Sequence, residues 1–303
     1  MKLIALLIAL AIERLATHLF RMRELRWLDR ILDAGFSQIS RLANWPPILP
    51  IAGLVFLLVV PVLLVWMSLG DALLGFPYLV FAIFVLFFSF GPQDIAEEVD
   101  DYCAALSSND SEQVRTTAKI LLEHDPPDFA QERNRQIEEA VCVQANNRLF
   151  AVIFWFVLLG PVGAWAYRVT DLTRRRAVFA AARDSDSETP ASQVVAATEA
   201  LHGWLAWIPA RLTAIGYALA GSFDGAWSAW RLSSHEVGRV SRDVSEGLLA
   251  RVGVGALAIV PVVDEVEAER GIRGAIAAKR LVLRALFIWA AVIAAMTLYG
   301  WSV

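Results

Sequence analysis

LFAVIFWFVLLGPVGAWAY, residues 149–167, is a run of nineteen uncharged residues with Gly160-Pro161 near its middle. A helix rises about 1.5 Å per residue, so roughly 20 apolar residues cover a ~30 Å hydrocarbon core. The run is therefore long enough to cross a membrane once as a kinked span. It also suits a second arrangement. Proline removes a backbone donor and glycine weakens a helix, so a break at Gly160-Pro161 lets the chain enter and leave on the same side, provided protein or water covers the non-helical backbone. Both arrangements stand open on the sequence alone.

Three further stretches, Leu42–Gly70, Ala72–Gln93 and Ala285–Val303, also lack any charged side chain. With 57% hydrophobic and 19% charged residues in 303 and a mean hydropathy of +0.52, four such stretches indicate a membrane protein rather than a soluble helical domain with buried core helices. The expected fold is all-α: a polytopic membrane protein with about four membrane helices or helical hairpins joined by cytoplasmic helical segments. The divisions read as an amphipathic N-terminal helix region (1–44), a membrane hairpin (45–93), a cytoplasmic helical segment (94–148), the third membrane stretch (149–168), amphipathic and cytoplasmic helices (169–280), and a C-terminal membrane helix (281–303). Leu3–Ile12 is too short to cross. Glu13 and Arg14 follow it where a signal peptide would carry small cleavage-site residues, so it reads as the start of a surface helix continuing past Leu15, Leu19 and Met22.

Arginine and lysine set the orientation. Arg21, Arg23, Arg26 and Arg30 precede the first span, whereas the turn between the first two offers only Asp71. That turn is expected to face away from the cytoplasm, which returns residues 93–148 to it. A simple crossing by 149–167 would then carry Arg168 and Arg174-Arg175-Arg176 outward, against the positive-inside expectation. The re-entrant arrangement keeps them inside, and the last span then runs outward to Val303.

Between the spans the chain reads as helical. Asp94–Ala105 and Ser111–Glu123 lack Gly and Pro, with Ser107–Asp110 as a turn and N-cap between them. Asp94, Glu97, Glu98 and Asp101 fall at three- and four-residue spacing, a carboxylate face that can be plain solvated surface or can meet a divalent cation or arginines across a pocket. His124-Asp125-Pro126-Pro127 breaks the chain, and Gln131–Asn147 restarts a helix able to feed the third membrane stretch. Arg183–Pro190 reads as a flexible connector. Further on, Trp204, Ile208, Leu212, Ile215 and Leu219 form one apolar stripe interrupted by Pro209 and bordered by Arg211. An arginine there either snorkels or faces an anionic group, which makes Arg211, with Arg168, a candidate ligand-binding residue.

Other chemistry finds little support. His18, His124, His202 and His235 lack a second ligand at metal-binding spacing, and two cysteines, Cys103 and Cys142, lie on the side expected to be reducing. No G-x-x-x-x-G-K-[ST] phrase occurs. At net charge −4, with no basic stripe beyond the membrane flanks, no nucleic-acid partner is expected. No cofactor, metal or catalytic residue is assigned.

Leu158–Arg168 (LLGPVGAWAYR) resembles the LGGPPGALAYR stretch of the CobD/CbiB family of membrane synthases that assemble adenosylcobinamide phosphate. Ile208–Ala214 (IPARLTA) repeats another phrase of that family residue for residue. Ala105–Arg115 and Gly255-Ala256-Leu257 add weaker likenesses. Synthase members carry an E-S-x-A-E-N-x-x-D phrase ahead of the third membrane stretch. Here Glu139 matches its first acid, while Val143, Gln144 and Asn147 stand at the positions of the second Glu, the Asn and the Asp. The chain is more similar to the AmpE branch of the superfamily, through Glu13-Arg14, the Ser108–Ser111 turn and the Trp-x-Pro-x-Arg-Leu phrase at 207–212. This resemblance implies a multi-pass protein of the cell inner membrane, linked to β-lactamase induction and muropeptide signalling and to the antibiotic response. It also implies functional partnership with an AmpD-type amidase that degrades anhydro-muropeptides.

Three readings follow. The first is a regulatory or accessory membrane protein of the AmpE type, non-enzymatic or of unknown activity. The second is an amide-forming enzyme of the CobD/CbiB type. The third is a binder or transporter of an anhydro-muropeptide or other anionic wall metabolite, with Arg168, Arg211, Asp94, Glu97, Glu98, Asp101 and Glu139 as candidate ligand contacts and the lipid bilayer as the constant partner.

Overall fold

A computed structural model describes residues 5–8, 26–39, 45–69, 76–90, 94–183, 190–233, 242–260 and 262–299. The amphipathic reading of most of the first 25 residues, Glu13-Arg14, Arg21, Arg23, the turn at Asp71, most of the 183–190 connector and the last four residues lie outside that set. Among the described residues the regular structure is entirely helical. The helices are α1 (Arg26–Ile39), α2 (Ile48–Leu69), α3 (Phe76–Ser89), α4 (Ile95–Ser108), α5 (Ser111–Leu122), α6 (Ala130–Ala145), α7 (Ala151–Arg183), α8 (Pro190–Ala220), α9 (Phe223–Ser233), α10 (Arg242–Leu257) and α11 (Glu267–Leu298).

Three helical runs are long and apolar enough to cross a membrane: α2, α11 and the run 130–183 that joins α6 to α7. α3 is apolar but shorter. The 130–183 run is not a straight rod. Gly160 has φ 68° and ψ −154°, a conformation that only glycine adopts readily, and the chain folds back there. Two cross-contacts prove the reversal. The Tyr167 hydroxyl lies 3.5 Å from Asn147 Oδ1, and Arg175 Nη2 donates to Gln144 Oε1 at 3.4 Å. Residues twenty apart on a straight helix would be separated by roughly 30 Å. α7 is thus a helical hairpin with an outgoing arm before Gly160 and a return arm from Pro161 onward. The arms are in tight contact: a Cβ on Gly163 would sit 2.4 Å from the Trp155 carbonyl oxygen.

Indole N–H groups tie the hairpin to its surroundings. Trp155 Nε1 donates to the Leu205 carbonyl of α8 at 3.1 Å, and Trp165 Nε1 to the Leu58 carbonyl of α2 at 3.0 Å. Phe156, Ala164 and Tyr167 are buried together with Leu86 and Phe90 of the α3 region. A second core joins α4, α5, α6, α8, α9, α10 and α11 around Tyr102, Val141, Cys142, Tyr217 and Leu248.

Local signals explain α4 and α5. Asp94 caps α4, accepting from Ala96 N at 2.9 Å, and Asp110 caps α5, accepting from Glu112 N and Gln113 N. Asn109 closes α4 in the left-handed region, as asparagine tolerates. Glu123 closes α5 there too, with φ 63°, an uncommon conformation for glutamate.

Candidate functional site

Between α6 and α7 the chain makes one π-helical turn, Asn146–Phe150. A π turn inserts an extra residue and rotates the side chains that follow, a feature frequent at functional sites. Here it turns Asn146, Asn147 and Arg148 into the protein, where all three are buried. Arg148 Nη1 donates to Glu98 Oε1 of α4 at 2.7 Å, its Nε donates to Gln144 at 3.2 Å, and its Nη2 lies 3.7 Å from Glu123. Burial pushes the Glu98 carboxyl above its ordinary range, while the Arg148 guanidinium pulls it back.

The return arm supplies the facing half. Asp171, fully buried, accepts from Arg168 Nη1 at 3.1 Å, Arg174 Nη2 at 3.0 Å and Arg175 Nε at 2.8 Å. Spacings of −3, +3 and +4 put all three guanidinium groups on the same helix face as the carboxylate. Arg175 also pairs with Glu123, and Arg174 lies 3.7 Å from it. The backbone strain at Glu123 is therefore matched by a side chain that serves three arginines. His202 of α8 lies 3.2 Å from the Tyr167 hydroxyl and 3.8 Å from Asp171. Asn147 donates to Glu246 of α10 at 3.1 Å, and Arg242 bridges Glu246 at 2.8 Å and Glu199 at 3.1 Å.

Over this lattice opens a cavity of about 460 Å³, lined by Glu123, Gln136, Glu139, Val143, Gln144, Arg174, Glu199, Arg242 and Glu246 among others. Two of its lining groups have buried polar atoms without a hydrogen-bond partner, Arg174 Nε and Gln136 Oε1. The lattice beneath it pairs Arg148, Arg168, Arg174, Arg175 and Arg242 with Glu98, Glu123, Asp171, Glu199 and Glu246, and the cavity wall itself carries Glu123, Glu139, Glu199 and Glu246 beside Arg174 and Arg242. Such a wall offers both donors and acceptors. It suits a ligand that carries ammonium and carboxylate groups better than a simple anion. Among the described residues no three His, Cys, Asp or Glu side chains are grouped to hold a metal ion.

The structure separates the candidates read from the sequence. Glu98 and Arg168 enter the buried lattice, and Glu139 lines the cavity while pairing with Arg135 at 3.0 Å. Glu97 and Asp101 point to the exposed side of α4, and Asp94 is spent as its N-cap. The four acids therefore do not form one carboxylate site, because Val99, Tyr102 and Leu106 turn the Glu98 face inward. Arg168 and Arg211 do not form a clamp. Arg168 pairs with Asp171 inside the protein, whereas Arg211 stacks over the Trp207 ring at 3.8 Å and donates to the Trp207 carbonyl at 2.9 Å. Glu123, Asp171, Arg148, His202, Arg242 and Glu246 went unnoticed as site residues. The D-x-x-R-R spacing from Asp171 and the i,i+4 pair Arg242/Glu246 were the legible signals.

Comparison with known proteins agrees with the resemblance in the sequence. The family model described as regulatory signalling modulator protein AmpE matches residues 1–303. Protein AmpE of Shigella flexneri is 27% identical over 99% of this chain and 99% of its own length. A cobalamin biosynthesis protein CobD of Stutzerimonas stutzeri is 25% identical over 59% of this chain and 55% of its own. One of Chromobacterium violaceum is 27% identical over 48% and 45%. No solved structure matches the chain.

Proposed function

The chain belongs to the AmpE family, and on that premise we propose that it is a multi-pass inner-membrane regulator of β-lactamase induction that binds an anhydro-muropeptide in the cavity beside the hairpin. The observation that carries this reading is a cavity of about 460 Å³ lined by arginines and acids together, Arg174 and Arg242 with Glu139, Glu199 and Glu246. A concave opening on which several polar groups converge marks a place for a polar guest. A peptide-bearing wall fragment supplies carboxylates for Arg174 and Arg242 and ammonium or amide N–H groups for Glu139, Glu199 and Glu246. Val143 and Gln144, at positions aligned with the synthase acidic phrase, line the same cavity. Neither can serve as a general base, and Val143 has no atom to ligate a cation, which favours binding over amide formation.

The test uses full-length protein in nanodiscs and labelled anhydro-muropeptide. Arg242→Ala removes a lining guanidinium and is expected to weaken binding at least tenfold, while Arg211→Ala, outside the cavity lining, is expected to bind like the wild type. In cells, an induction reporter should respond to deletion and be restored by the Arg211 variant but not by the Arg242 variant. Wild-type protein that fails to bind, or equal binding by Arg242→Ala, would refute the proposal.

A further inference from the structure

The outgoing arm of the α7 hairpin, α8 and α11 enclose a second groove of about 350 Å³ that no charged side chain lines. Phe154 and Leu158 come from the hairpin, Leu212 and Ile215 from α8, and Val292 and Met296 from α11. Leu158, Leu212, Ile215 and Val292 are each 40–54% exposed, so the groove is open along its length rather than sealed into the core. An apolar opening of this kind on an aqueous surface would be an aggregation hazard. On a helix apolar enough to cross a membrane it faces hydrocarbon.

One end of the groove is marked by charge. Arg284 lies one turn before Ile288, a lining residue, and its Nη1 donates to the Ala220 carbonyl at 3.5 Å, next to Leu219 at the groove's end. Arg284 is the last charged residue of α11; from Ala285 to Leu298 there is none. It therefore sits where the helix passes from headgroup level into hydrocarbon. Arg280, one turn earlier, is also exposed, and neither arginine makes an ion pair with a described residue. An apolar slot with exposed Arg284 at its end matches an acyl chain joined to an anionic phosphate, and basic pockets between membrane helices bind such headgroups.

We propose that this groove is a binding site for an anionic phospholipid, with an acyl chain along Phe154, Ile215 and Val292 and the phosphate on Arg284. The site is separate from the polar cavity and shares no lining residue with it.

The experiment is native mass spectrometry of the full-length protein, transferred from detergent micelles containing equal amounts of dioleoyl phosphatidylglycerol and dioleoyl phosphatidylcholine. Wild-type protein should retain phosphatidylglycerol about fivefold over phosphatidylcholine, the factor expected for one arginine at an anionic surface. Arg284→Gln should bring the ratio close to one while still retaining lipid. Val292→Trp, which fills the groove, should reduce retention of both lipids. Thermal unfolding of each variant in the same detergent verifies that the fold is kept. Equal retention of the two lipids by the wild type, or an unchanged preference in Arg284→Gln, would overturn the headgroup assignment. Undiminished retention by a folded Val292→Trp would overturn the seat of the chain.

Discussion

Asp171→Asn tests whether the lattice at the hairpin base is structural. The substitution keeps shape and one acceptor oxygen but removes the negative charge that three guanidinium groups share. Its effect on each arginine differs. Arg175 keeps its pair with Glu123, and Arg174 keeps a contact of 3.7 Å with the same carboxylate. Arg168, by contrast, has Asp171 as its acidic partner and is almost fully buried. Breaking a buried pair by removing one partner typically costs about 3–5 kcal/mol, because the remaining charge has neither water nor counter-ion. The expected loss is therefore about 4 kcal/mol, mostly from Arg168, or close to a thousandfold in the unfolding equilibrium. The assay is equilibrium unfolding in mild detergent followed by tryptophan fluorescence, with 11 tryptophans as reporters. The double variant Asp171→Asn/Arg168→Met separates this cause from general disruption. Replacing a buried ion pair by apolar groups is often nearly neutral, so the double variant should recover at least half of the loss. A loss below about 1 kcal/mol for Asp171→Asn, or a double variant less stable than the single, would refute the reasoning.

Three further outcomes are expected. Gly160→Ala forces an L-residue into a positive-φ conformation and should cost about 1–3 kcal/mol, seen as a lower melting temperature; an unchanged melting temperature would mean that the reversal does not need glycine. The carboxyl of Glu98 is raised above its ordinary 4.5, so the native state holds that proton more tightly than the unfolded chain. The cost of burying its carboxylate is fully present above the raised pKa and is relieved as pH falls toward 4.5. Wild-type stability relative to Glu98→Gln should then increase on acidification, and parallel pH curves for the two proteins would contradict this. Asp33, held below its ordinary range by a hydrogen bond from Arg176, joins α1 to the return arm. Because the pair is exposed, Asp33→Asn should shift stability by less than about 1 kcal/mol.

Much of the architecture was legible because it depends on local chemistry. The apolar stretches appear as α2, α3, the hairpin and the C-terminal half of α11. The turn expected at Ser107–Asp110 appears shortened to Asn109 and Asp110, in the roles that their side chains favour, while Ser107 and Ser108 close α4. Gly160-Pro161 marked the place where a helix stops, although one sequence cannot say whether the arms then diverge or return; that depends on close packing such as Gly163 against Trp155. The site was less legible for the same reason. The spacing of Asp94, Glu97, Glu98 and Asp101 was read as one face, but the buried neighbours of α4 select Glu98 alone. Glu123 reads as the unremarkable end of a helix, and its importance comes from a left-handed cap that delivers its carboxylate to arginines 25 to 52 residues away in the chain. Arg211 looked costly in an apolar stripe, yet the Trp207 ring and carbonyl accommodate it locally.

The fold-back also bears on why the lattice exists. A hairpin that leaves on the side it entered must have its two ends fixed at one level. Asn147 to Tyr167 and Gln144 to Arg175 are the contacts between those ends, and Glu98 and Glu123 fasten them to α4 and α5. The reversal keeps Arg168 and Arg174–Arg176 on the same side as Arg148, which removes the conflict that a single crossing would create with the positive-inside rule. Glu123, Gln144 and Arg174 then serve two roles, because they hold the hairpin base and also line the polar cavity. A guest that takes hydrogen bonds from these groups must alter how tightly the hairpin is held. Coupling of this kind, commonly about 1–3 kcal/mol between two sites, is what the proposed regulatory role requires of the cavity.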